Sequence, residues 1–171
     1  MIVLDNVLSN SSRKKFIKNV KPFLIDGKEL YKHNNGKDGE YQEGFKWFNL
    51  TQPDLHKKKE FSFIHTDILY FIRKKVGLDL TIKRSWVNLT TGKLRSRYRY
   101  WHEHGDFDFS FVYYMKIFPL FSNGTLFKHH GFVKAQQNSC LIFPGTLFHT
   151  TPSSPIPFKR YTWVMDLNIR R

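Results

Sequence analysis

One cysteine, Cys140, in 171 residues excludes an intramolecular disulfide and any zinc site built on paired thiolates. A reducing compartment is the expected setting, and Cys140, within the apolar run Cys140-Leu141-Ile142-Phe143, reads as a small buried hydrophobe rather than a reactive thiol. Long apolar runs are missing too. None approaches a membrane span, and the first twenty residues carry Asp5 and no apolar block of signal-peptide length, so a soluble, cytoplasmic protein without membrane contact is expected, in the host cytoplasm if the source is viral. Acidic residues are scarce, 14 against 28 Lys and Arg, which leaves a net charge of +14. Such an excess attracts polyanions, and nucleic acid or an acidic substrate suits it, but whole-chain charge governs encounter and solubility and identifies no partner. No internal repeat or low-complexity stretch is present.

Aromatic side chains are abundant, with 17 Phe, 8 Tyr and 4 Trp, which favours strands over a helical bundle. The length suits a single domain. Phe16, Ile17, Val20, Phe23 and Leu24 recur at helical spacing behind the N-cap oxygens of Ser9 to Ser12; a helix is predicted over 11–24, with Pro22 disturbing its last turn. Glycines and asparagines between Ile25 and Lys46 predict a long polar connection. A second helix is predicted over 59–76, from Phe61, Ile64, Ile68, Phe71 or Ile72, and Val76, with Gly77 closing it. Lys57-Lys58-Lys59 reads as its solvated start, and His65 as a surface or packing residue.

Beyond Gly77 the character changes to strands. Leu80 to Leu89 alternates, Thr90-Thr91-Gly92-Lys93 turns, and Leu94 to Trp101 returns with Arg95, Arg97 and Arg99 on one face, either a charge-protected edge or a basic rim for an anionic substrate. Further strands are predicted over 109–117, 125–128, 132–135, 139–143 and 160–169, with a hairpin turn at Asn123-Gly124. About seven or eight short strands signal a sandwich or jelly roll. The expected architecture is mainly β with N-terminal helices: 1–79 a helical support region, 80–171 the β core.

The candidate chemistry lies in Trp101-His102-Glu103-His104-Gly105-Asp106, in Phe143-Pro144-Gly145-Thr146-Leu147-Phe148-His149, and in Arg160-Tyr161-Thr162. Residues two apart on a strand point the same way, so His104 and Asp106 address one ion together, and His149 completes the set from a neighbouring strand. Two imidazoles and a carboxylate on one face suit Fe(II) and leave positions open for a bidentate co-substrate and oxygen. His102 forms a same-face pair with His104 and stands as the alternative ligand; His129-His130, being adjacent, face opposite ways and read as a polar lip.

These motifs, with Ser110-Phe111-Val112-Tyr113-Tyr114-Met115, resemble the Fe(II)- and 2-oxoglutarate-dependent oxygenases, and look similar to the small phage and bacterial branch in which a His-x-His element precedes a Ser-x-Val-Tyr-Tyr strand. The resemblance spans about Leu80 to Ile169 and implies a double-stranded β-helix, the cupin-like jelly roll. It implies metal ligands His104, Asp106 and His149, and a co-substrate site at Arg160, Thr162 and Tyr114, where a guanidinium holds the distal carboxylate of 2-oxoglutarate bidentately. The implied reaction couples decarboxylation of 2-oxoglutarate, with O2, to oxidation of an unidentified primary substrate. Hydroxylation is the default, and demethylation is the same reaction on an N-methyl carbon. The alternative from another class is a non-catalytic cupin-like metal or ligand-binding module, for which a dicarboxylate clamp at Arg160 has no use.

Overall fold

Period-two alternation along the last strand divides the molecule into two interiors. The computed structural model describes residues 1–26, 48–90, 101–118, 123–152 and 158–170. Among these the helices are α1 (Asn10–Val20) and α2 (Ser62–Val76). The strands are β1 (Ile2–Leu4), β2 (Ile25–Asp26), β3 (Phe48–Leu50), β4 (Leu80–Thr90), β5 (Phe109–Lys116), β6 (Gly124–Phe127), β7 (Gly131–Lys134), β8 (Cys140–Pro144), β9 (His149–Thr150) and β10 (Arg160–Ile169). A large antiparallel sheet runs β1-β8-β5-β10-β4-β3-β2 and a small one β7-β6-β9. On β10, Tyr161, Trp163, Met165 and Leu167 enter the core packed by the helices, whereas Val164 enters a second core between the sheets. The same division holds on β5, where Phe111, Tyr113 and Met115 meet the helices and Val112 and Tyr114 face the small sheet. This is a mainly β jelly roll with N-terminal helices, one of the two architectures that the strand count allows and the one that the family resemblance implies.

Both helices form where their apolar spacing lies. Ser9 caps α1 by accepting from the Ser12 amide at 3.1 Å, and Pro22 falls in a 3₁₀ turn over Lys21–Phe23 that ends the helix. Phe16 is fully buried, its ring edge-on to Trp163 at 4.8 Å and to Phe61 at 5.4 Å. Gly77 ends α2 in the left-handed region at φ 73°, its amide donating to Arg73 O at 2.9 Å. His65 is a buried packing residue. Its Nδ1 donates to Phe61 O at 2.8 Å, and its ring stands edge-on to Trp163 at 4.6 Å. Lys57 and Lys59 are exposed, as a solvated start requires. Cys140 is buried, and burial raises its thiol to about 12.

Two expectations change. The N-terminal region is not wholly helical, because β1 pairs with β8 at one edge of the large sheet and β3 with β4 towards the other. These strands are two or three residues long, too short for an alternating pattern to register. Asn123-Gly124 is not the hairpin turn: Gly124 opens β6, and β6 joins β7 through Lys128, His129 and His130, all exposed, ahead of Gly131 at φ 75°. A Cβ on Gly124 would stand 1.9 Å from Val133 O, so this glycine permits a close backbone approach. Of the expected connection over 25–46 only Ile25 and Asp26, which form β2, are described, and the returning strand with Arg95, Arg97 and Arg99 lies outside the described residues.

Candidate metal centre

His149 lies in β9 of the small sheet, and an isolated antiparallel bridge pairs it with His102. The bridge is reciprocal, His102 N donating to His149 O at 3.1 Å and His149 N to His102 O at 2.9 Å. This keeps the backbone at His102 extended beside β9, so His102 and His104, two apart, turn to the same side. Next to it the Pro144-Gly145 segment clamps the following residue, with His104 N donating to Gly145 O at 2.7 Å. A Cβ on Gly145 would meet Phe107 O at 2.2 Å and His104 O at 2.5 Å, which explains the glycine inside the Phe-Pro-Gly motif.

The three imidazoles converge. One ligand atom from each of His102, His104 and His149 lies within 4.8 Å of the other two. Ring centroids are 4.3 Å apart for His102 and His149 and 5.2 Å for the other two pairs. His104 and His149 are buried and His102 half-buried. His149 Nδ1 meets Leu147 O at 2.8 Å; a carbonyl only accepts, so Nδ1 carries the proton and Nε2 the lone pair. Burial first, then the His102 imidazole, lowers His149 to about 3, so the ring is neutral at ordinary pH, as a metal ligand must be. His104 Nε2 is buried with no hydrogen-bond partner, a costly state for a polar atom that a bound cation would relieve. Three imidazoles suit a divalent transition metal.

Asp106 is not in this cluster. The chain turns at Gly105 and Asp106, and Asp106 is exposed; the same-face rule that was to join it to His104 applies only while the backbone stays extended. His102, the alternative, takes the third place. The carboxylate that reaches the cluster is one sequence reasoning missed. Asp166 Oδ1 lies 2.5 Å from His104 Nδ1, and Asp166 is fully buried. An acid within Trp163-Val164-Met165-Asp166-Leu167 was the available signal, because a buried carboxylate requires a partner.

Arg160, Thr162, Val164 and Asp166 share the β10 face that looks between the sheets. Arg160 is buried, donates from Nη2 to Gly124 O at 2.9 Å, lies over the Tyr114 ring at 5.6 Å and leaves Nε without a partner. No carboxylate among the described residues pairs with it. Burial therefore draws its pKa below the ordinary value, which the Tyr114 phenol partly offsets. Thr162 lies directly across from Tyr114 in the sheet and is buried. The Tyr114 hydroxyl hydrogen-bonds Thr125 Oγ1 at 2.7 Å, and burial pushes its pKa up. The three expected co-substrate residues are thus gathered at one end of the interior.

A double-stranded β-helix with a histidine cluster between its sheets is the class that the fold and site define. Solved structures share this fold. The chain is similar to HygX from Streptomyces hygroscopicus with nickel and 2-oxoglutarate bound (TM-score 0.68, 11% identity, 98% of this chain and 82% of that one). It is also similar to the viral collagen prolyl hydroxylase of Paramecium bursaria Chlorella virus-1 in complex with 2-oxoglutarate (TM-score 0.64, 14% identity, 99% and 96%). A 2OG-Fe(II) oxygenase family oxidoreductase from Burkholderia pseudomallei gives a TM-score of 0.63 at 10% identity, over 98% and 83%. No family model and no curated protein matches by sequence, so the likeness is one of fold.

Proposed function

We propose that this protein is an Fe(II)- and 2-oxoglutarate-dependent dioxygenase of the hydroxylase type, with His102, His104 and His149 holding the metal and Arg160, Thr162 and Tyr114 receiving the co-substrate. The observation that carries this reading is Arg160, a buried guanidinium with no acidic partner among the described residues, on the same strand face as the acid that contacts the imidazole cluster. An unpaired buried cation is strongly unfavourable until an anion reaches it. A dicarboxylate answers two requirements at once, its distal carboxylate neutralising Arg160 while its other end reaches the metal. A binding module without turnover has no need of that second charge. HygX and the viral prolyl hydroxylase, which share the fold, were solved with 2-oxoglutarate bound.

When bound, Fe(II) supplies the centre at which oxygen and 2-oxoglutarate react, giving succinate, carbon dioxide and an oxidised substrate. The protein's residues orient and exclude. Arg160 fixes the co-substrate by its distal carboxylate, with Thr162 and the Tyr114 hydroxyl as neighbouring hydrogen-bonding groups. Phe127 and Phe143, whose rings lie 6.0 and 4.7 Å from that of His149, wall the cluster with apolar surface and limit water.

Anaerobic addition of Fe(II) and 2-oxoglutarate is expected to give a weak visible charge-transfer band that disappears in His149→Ala. Substrate-free succinate release in air is expected to require His149 and Arg160; ordinary turnover by Arg160→Ala at ordinary co-substrate levels overturns the clamp. Succinate release screened over DNA, RNA, peptide and small-metabolite pools then identifies the primary substrate, and the +14 charge makes anionic pools the first to try.

A further inference from the structure

Behind the imidazole cluster lies a small closed network. Asp166 divides its two oxygens: Oδ1 meets His104 Nδ1 at 2.5 Å, and Oδ2 accepts from Arg84 Nε at 2.7 Å and forms an ion pair with Nη2 at 2.6 Å. Arg84 faces Asp166 directly across β4 and β10, and Ser110 faces it across β5. The guanidinium is seated over the Phe107 ring at 4.6 Å and the Trp86 ring at 5.8 Å. Trp86 in turn lies parallel to His104, 5.8 Å away at an interplanar angle of 6°. The imidazole is therefore held by a stacked ring on its face and a carboxylate at its edge.

The chemistry of the pair fixes a tautomer. An ionised carboxylate only accepts, so the proton sits on Nδ1 of His104, and Nε2, the buried atom without a partner, presents its lone pair to the cluster. His149 reaches the same tautomer through the neutral carbonyl of Leu147, so the buried charge acts on His104 in particular. We propose that Asp166, oriented by Arg84, is a positioning residue for the metal ligand His104, selecting the tautomer that offers Nε2 and lending through that hydrogen bond a negative charge that an all-imidazole ligand set lacks. The proposal rests on reading the cluster as a divalent-metal centre.

Asp166→Asn is the discriminating change because Arg84 can only donate. The amide oxygen must then turn towards Arg84 and the NH2 towards His104 Nδ1, which becomes an acceptor and moves the ring proton to Nε2, the ligand atom. Long-range proton–nitrogen NMR of the metal-free protein is expected to show His104 protonated at Nδ1 in wild type and at Nε2 in Asp166→Asn. Co(II) affinity, measured by competition with a chelator, is expected to fall about 10- to 100-fold in that variant. In Arg84→Met/Asp166→Asn the amide is free to turn back, so the Nδ1 proton and part of the affinity are expected to return. Arg84 has a side chain 47% exposed, so its replacement spares the core. Wild type that binds no Co(II), or His149→Ala that binds it as tightly as wild type, removes the metal-centre reading and the proposal with it. With that reading intact, an Nε2 proton in wild type overturns the positioning role. So does unchanged affinity in Asp166→Asn, or an equal loss in the single and double variants.

Discussion

His102, His104 and Asp106 differ by two positions each, yet only the first pair shares a face, because extended backbone ends at the turn that begins at Gly105. His102→Ala and His104→Ala are each expected to lower Co(II) affinity by at least tenfold, whereas Asp106→Asn leaves it within about twofold, as read from the cobalt absorption spectrum. Strong loss in the Asp106 variant would restore that carboxylate as a ligand. Gly145 belongs to the same scale. An added methyl must displace the carbonyls of His104 and Phe107, so Gly145→Ala is expected to cost about 1–3 kcal/mol in urea unfolding and to weaken metal binding, while Thr146→Ala, at an exposed position, changes neither. The motif around His149 was legible in the sequence. That its glycine supports His104 was not, because residues 104 and 145 meet only in the fold.

Element-scale behaviour is set by β10 and by the helices beneath it. Alternation over 160–169 was readable, and with it the placement of Arg160 and Thr162 on one face; that Asp166 on that face touches His104 depends on pairing across 62 positions, which no local pattern encodes. On the opposite face, α1 presses Phe16 against Trp163, and Phe16→Ala is expected to cost about 3–5 kcal/mol without changing metal affinity. α2 contributes His65, which burial first of all lowers to about 4 from 6.5. Between those values the unfolded chain takes the proton more readily than the folded one. The stability attached to neutral His65 is full above pH 6.5 and falls as pH drops towards 4, by at most roughly 3 kcal/mol. Urea midpoints of the metal-free protein should decline over that range and decline less in His65→Leu; stability that rises on acidification contradicts this assignment.

At the scale of the whole molecule, an ion at the cluster would join His149 of β9 to His102 and His104 of the segment ahead of β5, so binding and folding would be coupled. Metal that binds the folded chain alone adds about 2.7 kcal/mol at a hundredfold excess over Kd. Co(II) is therefore expected to raise Tm in wild type, with 2-oxoglutarate raising it further; EDTA should reverse both shifts, and Arg160→Ala should keep the metal increment and lose the co-substrate one. An Arg160→Ala protein that keeps both increments contradicts the clamp. The sequence by itself determined a mainly β chain of short strands, the two helices and the face of β10 that carries Arg160, since each follows from short-range periodicity and from turn or cap residues beside it; the jelly roll in particular came from the family resemblance. Tertiary structure alone decided which donor joins His104 and His149 and which acid stands behind them. Those choices depend on where extended backbone stops and on which distant strand lies opposite, and both are properties of pairing between segments far apart in the chain.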